Sequence, residues 1–385
     1  MERELMQDKN KFDSRNKSFY LQALGKAIAG RRGSSKPRLG GGLPATMRRI
    51  ATLAKIAAFQ LGQAKKRERA ARVGTTIPGI LISSITRRCN LDCEGCYSKA
   101  LRPGARPELS DERLLSLFEE ATRLGTGTIM LAGGEPLLRR NLVKKAAGLR
   151  GVAIPVFTNG TLVDAEYLDL FTSGRLIPIF SVEGDEQFTT GRRGIGVHEA
   201  AMAAAAELRR RGALFGFSVT LTARNADSAL SDRFLREIEE LGASVLFLIE
   251  YVPVASGTDG LVLRDDQKAD LSRPGRFDRY AFMTVSLPGD EEAFGGCLAA
   301  GRGFIHLADD GALEACPFAP FSDSNAADRS LAEALDSPLM REIRARHGEL
   351  TETKGGCALW NKRGWAASLS ACALGPRSSA ERADA

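Results

Sequence analysis

The chain has 385 residues, enough for one large α/β domain with a smaller appendage or for two ordinary domains. A hydrophobic content of 43%, a charged content of 26% and a net charge of +7 are typical of a soluble globular protein. No run reaches the roughly eighteen uncharged apolar residues of a membrane span. The acidic start also lacks the apolar segment of a secretory signal, so we expect a cytoplasmic protein.

Basic residues are concentrated at the amino terminus. Residues 1–76 hold 18 of the 54 basic residues but only 5 of the 47 acidic ones. We predict that residues 1–77 form a basic extension, helical in part, with a flexible connector within 1–42 and an amphipathic helix over 44–72. This helix is expected to dock on the body of the protein. The alternative partners of the arm are an acidic protein, nucleic acid or an anionic membrane surface.

From Pro78 onward, short apolar runs alternate with longer helical segments. The predicted strands are 79–86, 128–132, 154–158, 178–182, 215–222 and 245–254. The predicted helices are 110–124, 138–149, 164–173, 197–211 and 228–241. Strict alternation implies a parallel sheet covered by helices, and six strands fit a partial (β/α)6 barrel over 78–262. In such a sheet, functional residues gather at the carboxyl ends of the strands.

The alternation stops near residue 263. We predict a mixed linker over 264–296, a compact α+β segment up to residue 372 and a disordered tail over 373–385. Seven cysteines in a chain of this kind are better explained as ligands or nucleophiles than as disulfides. They form two groups of three and four, at positions 89, 93, 96 and at 297, 316, 357, 372.

The first group, Cys89, Cys93 and Cys96, lies within eight residues directly after the first predicted strand. Thiolates at this density can converge on one soft metal centre, and three protein ligands leave one iron of a four-iron cluster open. An open position is typical of a catalytic metal. A structural zinc site is the alternative, but it needs a fourth ligand, and the first histidine of the chain is His198.

The spacing Cys-x-x-x-Cys-x-x-Cys after strand one resembles the cluster signature of the radical S-adenosylmethionine (SAM) superfamily. Gly133-Gly134-Glu135-Pro136, at the end of strand two, is similar to the turn that receives the SAM amino group in that family. Asn159 and the pair Ser181 and Glu183, after strands three and four, match positions of ribose- or substrate-facing residues. Arg193 resembles the arginine that binds the SAM carboxylate, and Arg192 competes for this assignment.

The resemblance implies a radical SAM partial barrel that binds a [4Fe-4S] cluster and SAM. Reductive cleavage of SAM would yield a 5′-deoxyadenosyl radical that abstracts hydrogen from a substrate. The sequence departs from the family in one place. Members often carry an aromatic residue beside the adenine just before the third cysteine, where this chain has Gly95, and Tyr97 follows the triplet instead.

The second cysteine group surrounds a predicted β-hairpin. Cys297, an apolar strand, the Asp310-Gly311 turn and Cys316 are similar to the opening of the SPASM and twitch auxiliary-cluster domains. The resemblance implies that Cys297, Cys316, Cys357 and Cys372 bind a second [4Fe-4S] cluster. A zinc site and buried core cysteines are the alternatives. On this hairpin, His306 is expected to be a hydrogen-bonded histidine and not a ligand.

Three functions are compatible with these features. The first is radical modification of a peptide or protein, as the SPASM-like layout suggests. The second is modification of a small molecule such as a sugar, a lipid precursor or a cofactor intermediate. Either enzyme would need a reducing partner such as flavodoxin or ferredoxin. A non-catalytic iron–sulfur or zinc protein that binds nucleic acid ranks last, because aromatic residues are sparse in the basic arm.

Overall fold

A computed structural model of the chain describes residues 42–102, 104, 106–288, 295–351 and 357–374. Within these ranges, the side chains of residues 42, 43 and 371–374 are not described. The connector predicted within 1–42 and the tail predicted from 373 therefore lie almost entirely outside the described residues.

The described helices alternate with the strands over most of the chain. The strands are β1 (Ile80–Thr86), β2 (Thr128–Gly133), β3 (Pro155–Thr158), β4 (Ile177–Val182), β5 (Gly216–Leu221), β6 (Val245–Glu250), β7 (Met283–Leu287), β8 (Phe304–Leu307) and β9 (Leu313–Glu314). The first helices are α1 (Gly42–Arg72), α2 (Tyr97–Leu101), α3 (Asp111–Leu124), α4 (Arg140–Ala146), α5 (Ala165–Thr172), α6 (Glu186–Arg193) and α7 (Val197–Arg211). The later ones are α8 (Ala226–Ala229), α9 (Asp232–Leu241), α10 (Asp265–Leu271), α11 (Leu331–Leu335), α12 (Pro338–Ala345), α13 (Ala358–Asn361) and α14 (Arg363–Leu374).

The strands form a single curled sheet in the order β7-β6-β5-β4-β3-β2-β1-β8-β9. Every neighbouring pair is parallel except the β8–β9 hairpin. This arrangement confirms the predicted α/β class and the partial barrel of six strands. The sequence pattern missed β7, whose run of five residues lies at the sheet edge inside the predicted linker. The predicted hairpin is confirmed, and β8 extends the barrel sheet by pairing with β1.

Local sequence signals set the helix ends. The Ser110 hydroxyl accepts a hydrogen bond from Arg113 N at 3.1 Å and caps α3. Gly212 and Gly242 end α7 and α9 in the left-handed conformation that glycine adopts without strain. The predicted helix over 228–241 is divided by Leu230 and Ser231, because Ser231 caps a new helix by accepting from Phe234 N.

The two faces of the sheet have different surroundings. The outer face packs under the helices in a large apolar core that includes Phe118, Tyr167 and Phe217. The inner face holds a smaller cluster of buried side chains, centred on Met130, Ile179 and Phe247. Because these side chains fill the interior of the barrel, a ligand has room only at the carboxyl ends of the strands.

Helix α1 docks beneath the barrel and covers the ends of several helices. Arg67 donates to the carbonyl oxygen of Gly125 at 2.6 Å, and Arg49 donates to that of Gly242 at 2.5 Å. Gln60 donates to Gly127 O at 2.7 Å. Gly125 and Gly242 terminate α3 and α9, so the arginines meet the negative ends of two helix dipoles. Among the described residues, no helix combines the length and the apolarity needed to cross a membrane.

Candidate active site

The loop that carries Cys89, Cys93 and Cys96 leaves β1 at the carboxyl edge of the sheet. Its first residues are held by the turn after β2: Gly134 N donates to Thr86 O at 2.7 Å and Glu135 N donates to Arg88 O at 2.9 Å. Further along the loop, Glu94 N donates to Arg192 O at 3.1 Å. The loop is therefore fixed by backbone contacts from the end of β2 and from α6, the helix that follows β4.

Gly133 and Gly134 are required by this packing. A Cβ atom on Gly133 would lie 2.2 Å from Thr86 O, and one on Gly134 would lie 2.1 Å from Arg88 O. Gly133 also has a φ of +122°. The sequence interpretation attributed these glycines to the approach of a ligand, whereas the contacts here are with the backbone of the cysteine loop.

The three thiols of the loop are half-buried and close enough to interact. Burial raises the pKa of the Cys89 thiol, and the nearby Cys93 and Cys96 raise it further, while a hydrogen bond from Leu91 N lowers it. Burial likewise raises the pKa of Cys93, against the opposing effect of Arg193 and, to a smaller extent, Arg192. A bound metal centre would compete with protons for these thiolates, and the two cations would offset part of their charge.

Glu135 lies inside the protein at the end of β2, with 1% of its surface exposed. Its carboxylate accepts from Asn159 N at 2.8 Å, from Leu137 N at 2.9 Å and from the Thr158 hydroxyl at 2.9 Å. Burial raises its pKa in spite of these bonds. Glu135 thus ties the end of β2 to the end of β3, and Pro136 follows it as the first residue of a short 3-10 turn.

Asn159 connects the end of β3 to the cysteine loop. Its Nδ2 donates to Asn90 Oδ1 at 2.9 Å, and its Oδ1 accepts from the backbone and hydroxyl of Thr161. Asn90 in turn donates to the Thr161 hydroxyl at 2.8 Å. This polar network holds the residue after Cys89 against β3.

Glu183, which follows β4, pairs with Arg192 and Arg193 of α6 near Cys93 and Cys96. Glu183 is buried, and its Oε1 accepts from Arg193 Nε at 2.7 Å and from Arg192 Nη1 at 2.5 Å. Asn225 donates to Glu183 O at 3.1 Å and to Glu183 Oε2 at 3.3 Å. Ser181 lies half-buried two residues before this carboxylate. Glu183 therefore positions both arginines beside Cys93.

The ring of Tyr251 lies beside Gly95, in the space where the family often has an aromatic side chain at this position. Gly95 has a φ of +63°, and a Cβ there would lie 3.0 Å from the hydroxyl oxygen of Tyr251, which follows β6. Tyr251 is 4% exposed, and its hydroxyl has no hydrogen-bond partner among the described residues. Sequence reasoning missed this residue, because 155 positions separate it from Cys96.

The structure brings Cys297, Cys316 and Cys357 together in the carboxyl-terminal segment, where all three are buried. A hydrogen bond with Cys357, followed by burial, raises the pKa of Cys316 well above its usual value, and the nearby Cys297 raises it further. Trp360 N donates to Cys357 Sγ at 3.4 Å. Cys372 falls within α14, and its side chain lies outside the described residues.

Both cysteine groups have donor chemistry that fits an iron–sulfur cluster. Thiolates with backbone N–H donors at sulfur are typical ligands of such clusters. In the described part of the chain, no three Cys, His, Asp or Glu side chains converge as they would around a single ion. A four-iron cluster takes one thiolate on each iron and spaces its ligands more widely than a zinc ion does.

A buried polar network that the sequence did not predict connects β1 to the β8–β9 hairpin. His306 has 0% exposure; its Nε2 pairs with the Ser84 hydroxyl at 2.8 Å and its Nδ1 with Glu314 Oε2 at 2.7 Å. Glu314 also forms an ion pair with Arg102. The expectation of a hydrogen-bonded histidine is confirmed. Its partners could not be predicted, because they are up to 222 residues away in sequence.

Comparisons with known proteins agree with this geometry. Residues 83–230 match the family model described as Radical SAM superfamily. The chain is 27% identical over 198 residues to an Fe-coproporphyrin III synthase of Methanosarcina barkeri, a match that covers 50% of this chain and 49% of the relative. It is 24% identical over 320 residues to an AdoMet-dependent heme synthase of the same organism, covering 74% of this chain and 89% of the relative.

Solved structures share the fold. Streptococcus suis SuiB bound to S-adenosylmethionine superposes with a TM-score of 0.60 at 14% identity, covering 74% of this chain and 72% of SuiB. SuiB bound to its precursor peptide SuiA gives a TM-score of 0.59 at 14% identity, covering 82% and 75%. At this identity the likeness concerns the fold alone. Among the curated relatives, the first match spans about half of the relative's length.

Proposed function

Because this chain belongs to the radical SAM superfamily, we propose that it cleaves SAM reductively and abstracts a hydrogen atom from its substrate. The observation that carries the proposal is the meeting, at one sheet edge, of three loop thiols, the turn after β2 and the Glu183–Arg193 pair. These parts lie in the segments that follow three separate strands, β1, β2 and β4. Their common position is what a cofactor bound across the mouth of the barrel requires.

We assign Cys89, Cys93 and Cys96 as the ligands of the SAM-binding [4Fe-4S] cluster. A [4Fe-4S] cluster held by these thiols would supply the one-electron reduction by which SAM is cleaved to methionine and a 5′-deoxyadenosyl radical. The chain itself fixes the loop through the Gly134 and Glu135 backbone bonds. Burial of the thiols limits the access of water to the reacting groups.

Arg193 is the better candidate for the SAM carboxylate. Arg192 is already used by the cysteine loop, since its Nε donates to Glu94 O at 3.1 Å and its carbonyl oxygen accepts from Glu94 N. The guanidinium of Arg193 donates to Glu183, and it opposes the rise in the Cys93 pKa more strongly than Arg192 does. A guanidinium oriented by a buried carboxylate is suited to bidentate capture of a second carboxylate.

The other predicted SAM contacts are assigned by position. The backbone of the Gly133–Pro136 turn would hold the amino group, and Asn159, Ser181 and Glu183 lie where the ribose would pass. Tyr251 would take the place of the aromatic residue missing at Gly95. Its unpartnered hydroxyl and buried ring suit the edge and face of an adenine.

We further propose that Cys297, Cys316 and Cys357, with Cys372 as the fourth ligand, bind an auxiliary [4Fe-4S] cluster. The convergence of the first three and the N–H donation from Trp360 to Cys357 support this assignment. Such a cluster would accept the electron that the substrate radical loses on oxidation, or would hold the substrate. A flavodoxin or ferredoxin would supply the electron for SAM cleavage.

For the substrate, we favour a small molecule of the tetrapyrrole class over a peptide. The curated relatives named for coproporphyrin and heme synthesis share 27% and 24% identity with this chain, and the heme synthase match covers 89% of that relative. The peptide-modifying neighbour shares only the fold. Peptide modification remains the second candidate because SuiB, superposing over 82% of this chain, was solved with its precursor peptide.

The test separates the two clusters by paired variants. After anaerobic reconstitution the parent should hold about eight irons. The Cys89→Ala/Cys93→Ala/Cys96→Ala variant and the Cys316→Ala/Cys357→Ala variant should each hold about four. With dithionite and SAM, the parent should release 5′-deoxyadenosine and the first variant should not. A parent that holds zinc without iron, or that releases no 5′-deoxyadenosine when fully loaded, would overturn the proposal.

A further inference from the structure

Helix α1 docks on the body of the protein with only one of its faces. Ile56 and Ala64 are buried in that face. Ile56 packs against Ala153 and Leu214, which lie just before β3 and β5. The helix therefore lies across the amino ends of the strands. Its opposite face, called the outward face below, is turned away from the carboxyl edge that carries the cysteine loop.

The outward face is strongly basic. Six of the eight basic side chains of α1 are exposed, namely Arg48, Lys55, Lys65, Lys66, Arg69 and Arg72. The other two, Arg49 and Arg67, bind the ends of α9 and α3. Glu68 is the only acidic residue of the helix, and it pairs with Arg72 at 2.9 Å. Because the sequence after residue 76 holds more acidic than basic residues, the positive charge of the chain is concentrated in α1 and in the segment before it.

The outward face also exposes large apolar side chains. Of the five large apolar side chains that are exposed in the described residues, three lie in α1 or directly after it: Met47 at 55%, Leu61 at 43% and Val73 at 78%. Met47 and Leu61 are separated by nearly four helical turns, about 21 Å, so they point to the same side of the helix. Neither belongs to the apolar clusters of the body. These side chains are thus available to something outside the described part of the chain.

The shape and the charge of this face indicate what binds there. Helix α1 is about 46 Å long, and its exposed apolar side chains are spread along it. The apolar residues of a protein–protein interface instead cluster at a well-packed centre. A helix that lies on a membrane inserts apolar side chains along its whole length, while its lysines and arginines contact anionic headgroups. The distribution on α1 is of this second kind.

Other occupants are less well matched. A second copy of the chain would place one basic face against another, and like charges disfavour such a contact. Residues 1–41 carry ten basic and four acidic residues, so they also have the wrong sign of charge to cover α1. Nucleic acid would pair with the lysines and arginines but would leave Met47 and Leu61 without a role, because its outer surface is formed by phosphates.

We propose that the outward face of α1 binds an anionic lipid surface. The inference goes beyond the proposed function and does not rest on it. The helix lies along the membrane, with Met47 and Leu61 at the level of the headgroups and the basic side chains on lipid phosphates and carboxylates. Because α1 crosses the amino ends of the strands, the mouth of the barrel then faces away from the lipid and stays open to a substrate and a reducing partner.

Vesicle binding tests this proposal directly. The full reconstituted chain is sedimented with vesicles of phosphatidylcholine that contain about one third phosphatidylserine, and with vesicles of phosphatidylcholine alone. The parent should bind the first kind and not the second. Binding should be lost at about 1 M salt, where the Debye length falls to about 3 Å. Double-stranded DNA is titrated in parallel as the competing anionic surface.

Two variants separate the basic from the apolar contribution. Lys55→Gln/Lys65→Gln/Arg69→Gln removes three exposed charges, and glutamine preserves the helix. Loss of three lysine or arginine contacts should lower the partition coefficient on the phosphatidylserine vesicles about a hundredfold. Met47→Gln/Leu61→Gln removes apolar contacts at unchanged charge and should lower it about tenfold. A purely electrostatic contact would not respond to the second variant.

The control removes the same charge from other parts of the molecule. Arg233, Arg329 and Arg341 are exposed residues of α9, of the loop before α11 and of α12. The Arg233→Gln/Arg329→Gln/Arg341→Gln variant should bind vesicles as the parent does. Iron content, melting temperature and release of 5′-deoxyadenosine are compared for all variants and should match the parent, because every substituted side chain is exposed and distant from the cysteine loop.

Each outcome decides the question. Binding that requires phosphatidylserine and weakens in both α1 variants, but not in the control, supports the inference. It is wrong if the parent does not bind, if the α1 variants bind as the parent does, or if the control loses as much as the charge variant. Binding to DNA in place of vesicles, unchanged in Met47→Gln/Leu61→Gln, would also overturn it. A failure of SAM cleavage contradicts the proposed function and leaves the vesicle result to stand.

Discussion

Replacing Gly134 with alanine should displace the cysteine loop. The added Cβ would lie 2.1 Å from Arg88 O, 2.5 Å from the Arg88 carbonyl carbon and 2.8 Å from Arg87 O. All three are backbone atoms, so no side chain can rotate away. Relief requires the strand end and the loop to separate. That movement breaks the bonds from Gly134 N to Thr86 O and from Glu135 N to Arg88 O.

The cost of this movement can be estimated from those two bonds. Each contributes about 1 kcal/mol, and a buried carbonyl left without its donor adds about 1–3 kcal/mol. We therefore expect Gly134→Ala to lower the free energy of unfolding by about 3 kcal/mol. Because the loop starts at this contact, the variant should also lose the amino-terminal cluster and fall from about eight irons to about four.

Urea unfolding and iron analysis after anaerobic reconstitution measure both effects. Gly62→Ala is the matched control, since Gly62 lies inside α1 and a Cβ there would have nothing within 4 Å. Alanine at such a helical position should raise stability by about 0.5–1 kcal/mol and leave the iron content unchanged. A Gly134→Ala protein with parental stability and eight irons would refute the packing argument.

Two further predictions concern buried charged groups. Glu183→Gln should destabilise the protein by about 3 kcal/mol, because Arg192 and Arg193 lose their buried counter-charge, and urea unfolding at pH 7 checks this value. Burial lowers the pKa of His306, so below the unfolded pKa of about 6.5 the unfolded chain binds more protons than the folded one. The free energy of unfolding should then fall as the pH is lowered through about 6.5. His306→Gln should lose less of it between pH 7.5 and 5.5 than the parent does. An equal loss in both proteins would contradict this assignment.

The fold and the main parts of the site follow from features that are local in sequence. Apolar runs that alternate with helical segments predict the parallel sheet, and the order of strand ends places Cys89, Gly133 and Glu183 at one edge. Parallel strands put their carboxyl ends on the same side, so sequence order alone indicates that these residues meet. The hairpin between Cys297 and Cys316 is likewise local, since an Asp-Gly turn joins two short strands.

The parts that sequence did not predict depend on contacts between distant positions. Tyr251 approaches Gly95 only because β6 curls toward β1 across the barrel, and no periodicity records that curvature. Strand β7 is short and lies at the sheet edge with four of its five residues half-buried, so its pattern resembles that of a linker. The docking of α1 on the body was predicted, but its contacts were not, because Arg67 and Arg49 bind the carbonyl oxygens of Gly125 and Gly242, which lie 58 and 193 residues away in sequence.

An aromatic contact lies between the two cysteine groups. Tyr97 follows Cys96 directly, and its ring lies 4.9 Å from that of Phe318, two residues after Cys316. Burial raises the pKa of the Tyr97 hydroxyl to about 12, and both Cys96 and Cys316 add to the effect. The Tyr97 hydroxyl is therefore close enough to thiols of both groups for each to affect its pKa. Because the sheet also passes directly from β1 to β8, a change in either cysteine group would be transmitted to the other by packing as well as by charge.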